Sequence, residues 1–150
     1  MNWQSLTSQA DLDVLISLFG GFHDGCLKEA HLWTGNCVFP DLSMSCAGNL
    51  DTRVRLLFQR QFNNPSAIEL LFEQVTAFHL HPCPPNDDAI IMDATLSHCD
   101  GLFYWAETYD WSPKDAARED ITWIAGKTLS WRDASEWMGD ELRFGPKNES

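Results

Sequence analysis

Apolar residues recur at two different periods along this chain, and the change from one to the other divides it. Leu12, Leu15, Ile16 and Phe19 follow helical spacing, Ser8 and Asp11 have the grammar of a cap, and Gly20-Gly21 stops the run. This predicts one amphipathic helix over about residues 9 to 19. Beyond it the period falls to two. Leu42, Met44 and Cys46 alternate with polar neighbours, as do Val54, Leu56 and Phe58, and then Ile68, Leu70 and Phe72. Gly25 to Trp33 has a mixed pattern and also reads as a strand.

The Asp100-Gly101 pair is a two-residue hairpin turn, so it pairs residues whose numbers sum to 201 and sets Leu96 against Trp105 and His98 against Phe103. A second hairpin closed around the Pro-, Asn- and Asp-rich loop 82 to 88 would set Leu80 against Ile90 and Phe78 against Met92. Together these registers send Phe78, Leu80, Ile90, Met92, Leu96, Phe103 and Trp105 to a core face. His79, His81, Asp93, Thr95, Ser97 and Tyr104 go to a semi-polar one. Ser112-Pro113 with Asp115 predicts a short helix near 113 to 119. A last strand over 121 to 131 follows, bulged at Gly126, then a brief helix from Asp133 to Gly139 and a fraying tail over 145 to 150. The connections are too short for crossover helices. The expected fold is therefore α+β: one domain over residues 1 to 150, a mostly antiparallel meander of six to eight strands with an N-terminal helix and one or two short C-terminal helices.

Composition agrees with a single packed body: 150 residues, 44% hydrophobic and 21% charged. Charge changes the picture more. Ten basic residues face 22 acidic ones, a formal charge of -12, and a field of that sign repels phosphate backbones and anionic lipid. Nucleic acid and membrane surfaces are thus not the expected partners, and no stretch approaches the ~18 apolar residues of a membrane span. Between Gln61 and Pro113 there is no Lys or Arg, while Glu69, Glu73, Asp87, Asp88, Asp93, Asp100, Glu107 and Asp110 all lie there. Such a stretch is either ordinary solvated surface or a docking face for a basic partner. Five cysteines with no Cys-x-x-Cys pair, behind an N-terminus without a basic leader, predict reduced thiols and a cytoplasmic address.

Three constellations could carry chemistry. His79-x-His81-x-Cys83 has metal-like spacing if alternate strand residues share a face, with Asp87 or Asp88 as a further ligand. His98-Cys99 would lie about 23 Å away at ~3.3 Å per residue and cannot complete that site. His79 and Asp93 would be diagonal neighbours with Tyr104 one strand over, an arrangement that permits general acid-base chemistry but shows no nucleophile. Gly126-Lys127-Thr128 lacks the upstream glycine of a phosphate loop and reads as strand. No cofactor motif is present. Finally, Trp111 beside Tyr109 and Asp110 is either an interface anchor for a basic partner or an aromatic lid over the sheet edge.

Phe22-His23-Asp24 after the first helix, Leu70-x-Phe72-x-x-Val75, and a late strand ending in Leu129-x-Trp131 together resemble the small bacterial immunity proteins of polymorphic-toxin and contact-dependent competition systems. The resemblance implies a cytoplasmic, non-enzymatic protein that neutralises one toxin, often a basic nuclease, through an acidic face. It assigns no binding residue. The residue-level alternative for Phe22-His23-Asp24-Gly25 is a structural turn. The leading expectation is an acidic binding protein using Glu69, Glu73, Asp87, Asp88, Asp93, Tyr109, Asp110 and Trp111. The alternative is a small metal-dependent or acid-base enzyme centred on His79, His81 and Asp93, on the semi-polar sheet face.

Overall fold

A computed structural model describes residues 2–46 and 51–145; the predicted fraying of the tail falls largely outside them. In chain order the elements are β1 (Gln4–Leu6), α1 (Gln9–Leu18), β2 (Gly25–Trp33), β3 (Cys37–Val38), β4 (Met44–Ser45), β5 (Arg53–Arg60), β6 (Ala67–His79), β7 (Thr95–Cys99), β8 (Leu102–Ala106) and β9 (Trp123–Asp133). Short 3-10 turns occupy Gly20–Phe22 and Pro113–Asp115. Seven strands form one antiparallel sheet in the order β2-β5-β6-β9-β8-β7, and β1 pairs with the end of β9 that β8 leaves free.

The N-terminal helix forms as its sequence dictates. Ser8 caps it by accepting from the Asp11 N–H at 3.2 Å, and Asp11 in turn accepts from Thr7 N at 2.9 Å, one residue earlier than a capping box would reach. Those bonds hold the Asp11 carboxyl below its ordinary pKa. Leu12 and Leu15 are buried, and Phe19 closes the helix against the sheet. Gly20 and Gly21 then take positive φ values, +61° and +67°, which turn the chain so that Phe22 enters the core. Its ring meets Phe19 at 5.0 Å, Phe58 at 4.9 Å and Trp105 at 5.9 Å. His23 donates from Nδ1 to the Met92 carbonyl at 2.9 Å. Phe22-His23-Asp24 thus works as a structural turn.

One face of the sheet carries the main core. Val54, Leu56, Phe58, Ile68, Leu70, Phe72, Leu96, Phe103, Trp105, Ile124 and Leu129 pack there against α1. The other face is also covered, which period-two alternation did not anticipate. Leu57, Ala67 and Ala134 gather beneath Trp137 and Phe144 at one end. Tyr104, Ala106, Ile121 and Ala125 pack around Trp111 at the other.

The 201 register is observed in full from Thr95↔Ala106 to Cys99↔Leu102, with Asp100 and Gly101 both at positive φ. The hairpin around 82 to 88 does not form. β6 instead pairs along its length with β9, ending at His79↔Trp123, and the chain past His79 leaves the sheet. Leu80, Ile90 and Met92, expected in the core, are exposed. Only Ile91 returns, bridging to Gly25 through Asp24 N–Ile91 O at 3.0 Å and Ile91 N–Gly25 O at 2.8 Å.

Further differences have simple causes. The irregularity near Gly126 lies on β6, between Val75 and Ala77, and Gly126 sits opposite because a Cβ there would meet the Glu73 carbonyl at 3.1 Å. Leu42 and Met44 belong to a small exposed hairpin of β3 and β4 rather than to a core strand. The helix expected near 113 to 119 is a single 3-10 turn, capped by Ser112 and Asp115 but followed by no apolar face to bury. The Asp133 to Gly139 helix is absent; the chain turns there and lays Trp137 on the sheet.

Candidate functional site

The departure of the chain from β6 builds the most distinctive surface feature. His79 is held at the strand end by a 2.7 Å bond between Nδ1 and the Ile121 carbonyl. Two residues on, the His81 backbone is fixed to the buried Thr122 side chain: His81 N donates to Oγ1 at 2.9 Å, and Oγ1 donates to the His81 carbonyl at 3.2 Å. Pro82, Pro84 and Pro85 then limit the backbone, and a turn closed by Asp87 N–Pro84 O at 3.2 Å brings two carboxylates forward. Asp88 accepts from Ile90 N at 3.0 Å, which directs the chain to the Ile91 bridge.

Between this loop, Leu27 on β2 and the ends of β8 and β9 lies a cleft of about 430 Å³. His81, Cys83, Asp87, Asp88, Glu107 and Asp120 supply its titratable groups, and among the described residues neither Lys nor Arg lines it. Burial pushes the Glu107 carboxyl above its usual pKa, against a smaller opposing pull from His81. Asp120 is held below its usual value, chiefly by Arg118, which donates to its two oxygens at 3.1 and 3.0 Å. The Cys83 thiol is pushed up by desolvation and then by the negative charges of Asp87, Asp88 and Glu107. A thiol so placed is a poor nucleophile and a poor metal ligand.

The residues expected from sequence are dispersed by the fold. Glu69 is 1% exposed and forms a buried ion pair with Arg132, at 2.6 Å from Nη2 and 2.9 Å from Nε. Trp3 and Trp137 lie over that guanidinium at 4.1 and 5.1 Å. Glu73 pairs with Arg53 at 3.4 Å. Neither offers an unneutralised carboxylate to a partner. Asp93 lies by His23, whose pKa is raised first by the Met92 carbonyl, then by Asp24 and Asp93. Tyr109 and Asp110 are exposed, Tyr109 at 77%. Trp111 corrects the anchor reading: it is 3% exposed, with its ring 5.1 Å from Trp123 and 5.5 Å from Tyr104. It is the lid, not the anchor.

The metal and acid-base constellations lose their geometry with the missing hairpin. His79, His81 and Cys83 do not share a strand face, and among the described residues no group of three His, Cys, Asp or Glu side chains is placed to hold a metal ion. His79 is committed to Ile121, while Asp93 sits near His23 across a loop rather than on a neighbouring strand. Asp120 was missed because it lies outside the cation-free stretch, and the pairing of β6 with β9, which ends at His79↔Trp123, brings it near His81.

Comparison with protein-family models, with curated proteins and with solved structures finds no match. No helix among the described residues is long and apolar enough to cross a membrane.

Proposed function

We propose that this chain is a non-enzymatic binding protein that captures a basic protein partner at the cleft beside the loop 80 to 91, and that its biological form is a toxin-neutralising immunity protein. The observation that carries the reading is an acidic cleft lined by Asp87, Asp88 and Glu107, and by Asp120 in its pair with Arg118, with no Lys or Arg among its described lining residues and the exposed side chain of Leu80 in its wall. Leu80 is 58% exposed. Carboxylates around an apolar surface give a basic partner both a steering field and area to bury. The immunity assignment rests on the resemblance alone.

The protein encoded beside this chain's gene is the partner to test. Titration calorimetry at 0.05 and 0.3 M NaCl should show at least tenfold weaker binding at the higher salt, because the screening length shrinks from ~14 to ~6 Å. A chain carrying Asp87→Asn, Asp88→Asn and Glu107→Gln should bind at least tenfold more weakly at the lower salt. Binding that ignores both changes removes the electrostatic basis of the proposal.

A further inference from the structure

The two ends of the sheet are finished differently. At β7 the outer edge is covered: the Gln9 side-chain amide donates to the Leu96 carbonyl at 3.2 Å and accepts from the His98 N–H at 3.0 Å, taking the place of a neighbouring strand. At β2 the outer edge is bridged at Gly25 by Ile91. Among the described residues no strand pairs with it from Cys26 to Trp33.

The Gly25 carbonyl faces outward, since it accepts from Ile91. Alternation from there, with the shift in parity at the bulge between Leu27 and Glu29, turns the main-chain groups of Leu27, Ala30 and Leu32 away from β5. Ala30 and Leu32 are exposed. At the bulge the side chains of Lys28 and Glu29 turn to the C-terminal segment. The Lys28 ammonium lies 5.9 Å from the Phe144 ring centroid, and Glu29 accepts from Phe144 N and Gly145 N at 2.8 and 2.7 Å. Natural proteins blunt open edges; β7 is covered by the Gln9 amide, whereas β2 carries the bulge at Lys28 and leaves the outward groups of Ala30 and Leu32 beyond it without a pairing strand among the described residues.

We infer that β2 is a strand-addition site: an extended segment of the basic partner pairs with the outer edge of β2 and places a Lys or Arg side chain in the acidic cleft beside Leu27. This rests on the basic-partner reading above and adds how the partner is held. Leu27 joins the two features, because it is both an outward-facing position of the edge and a wall of the cleft containing Asp87 and Asp88. Main-chain bonds would supply affinity, and the carboxylates would select the charge of the incoming strand. A second copy of this chain is a poor occupant, since each copy carries -12.

The test uses a synthetic ten-residue peptide of alternating lysine and valine, the same peptide N-methylated at four consecutive central residues, and a glutamate-valine counterpart. The full chain should bind the first at least tenfold more tightly than either of the others. Ala30→Pro removes one outward N–H from an edge strand, where proline is tolerated. It should weaken binding of the lysine-valine peptide at least tenfold with an unchanged thermal midpoint. If that variant fails to fold, amide exchange decides: the Leu27, Ala30 and Leu32 N–H groups should be slowed at least tenfold when peptide is added to the parent chain. Equal binding of the N-methylated peptide, unslowed exchange, or no binding of the lysine-valine peptide at 1 mM overturns strand addition. Loss of binding in Asp87→Asn/Asp88→Asn together with equal binding of the N-methylated peptide would leave the acidic cleft standing and remove only the strand.

Discussion

Glu69 shows how one carboxylate can be removed from a surface by a cation far away in sequence. The stretch from Gln61 to Pro113 holds no Lys or Arg, yet Arg132 reaches Glu69 because β6 and β9 are neighbours, and two tryptophans close over the pair. A buried pair adds little against an apolar replacement, but removing one member strands the other charge. Glu69→Ala should therefore cost about 3–5 kcal/mol in urea denaturation. A paired Glu69→Leu/Arg132→Met replacement should recover most of that loss; equal losses in both chains would refute the stranded-charge account. Glu107 behaves oppositely. Its folded pKa is raised by burial, so below the usual carboxylate value both folded and unfolded chains hold the proton and nothing is lost. As pH rises from there through the folded pKa, the native state must carry a costly charge, and stability falls. Glu107→Gln should accordingly melt higher than the parent at pH 7 and level with it at pH 4. A lower melting point at pH 7 would show that the carboxylate is stabilised where it sits.

Legibility followed how local the determinant of each element was. The 95–106 hairpin could be placed to the residue because Asp100 and Gly101 fix both turn and register within the segment itself. The helix α1 was equally readable, having cap, stripe and glycine stop in one run. By contrast, nothing near the loop 82 to 88 reveals that β6 pairs with a strand more than forty residues later, and period two is the same whichever partner is chosen. That single ambiguity moved Leu80, Ile90 and Met92 to the surface and dissolved the proposed histidine site. The acids of the cleft could be seen in sequence, but their meeting with Asp120 could not. The Gln9 clamp was invisible for the same reason, since it acts across 87 and 89 residues. It yields a test of the element: in Gln9→Ala the His98 amide should lose its acceptor and exchange at least tenfold faster, with β8 amides protected as before. Unchanged His98 exchange would mean that α1 shields the edge without that bond.

At the scale of the molecule, folding sorts 22 acids against 10 bases unevenly. Glu69, Glu73 and Asp120 each gain an arginine, whereas Asp87 and Asp88 are brought to a cleft that has none among its lining residues. The pairs and the unneutralised group respond to salt in opposite directions. Exposed pairs such as Arg118–Asp120 are worth about 0–1 kcal/mol each and weaken as salt is added, while the buried Glu69–Arg132 pair is little screened. Self-repulsion at -12 acts over the whole surface and is relieved by the same salt. The second effect should win, so the thermal midpoint is expected to rise between 0.02 and 0.5 M NaCl at pH 7 in scanning calorimetry. Asp87→Asn/Asp88→Asn should start from a higher midpoint at low salt and gain less, because part of the repulsion has already been removed. A midpoint that falls with salt in the parent chain would mean that its ion pairs outweigh its excess charge. The carboxylates around the cleft would then be held by compensation elsewhere, and the stability they take from the fold could no longer be read as the cost of a surface kept for a cationic partner.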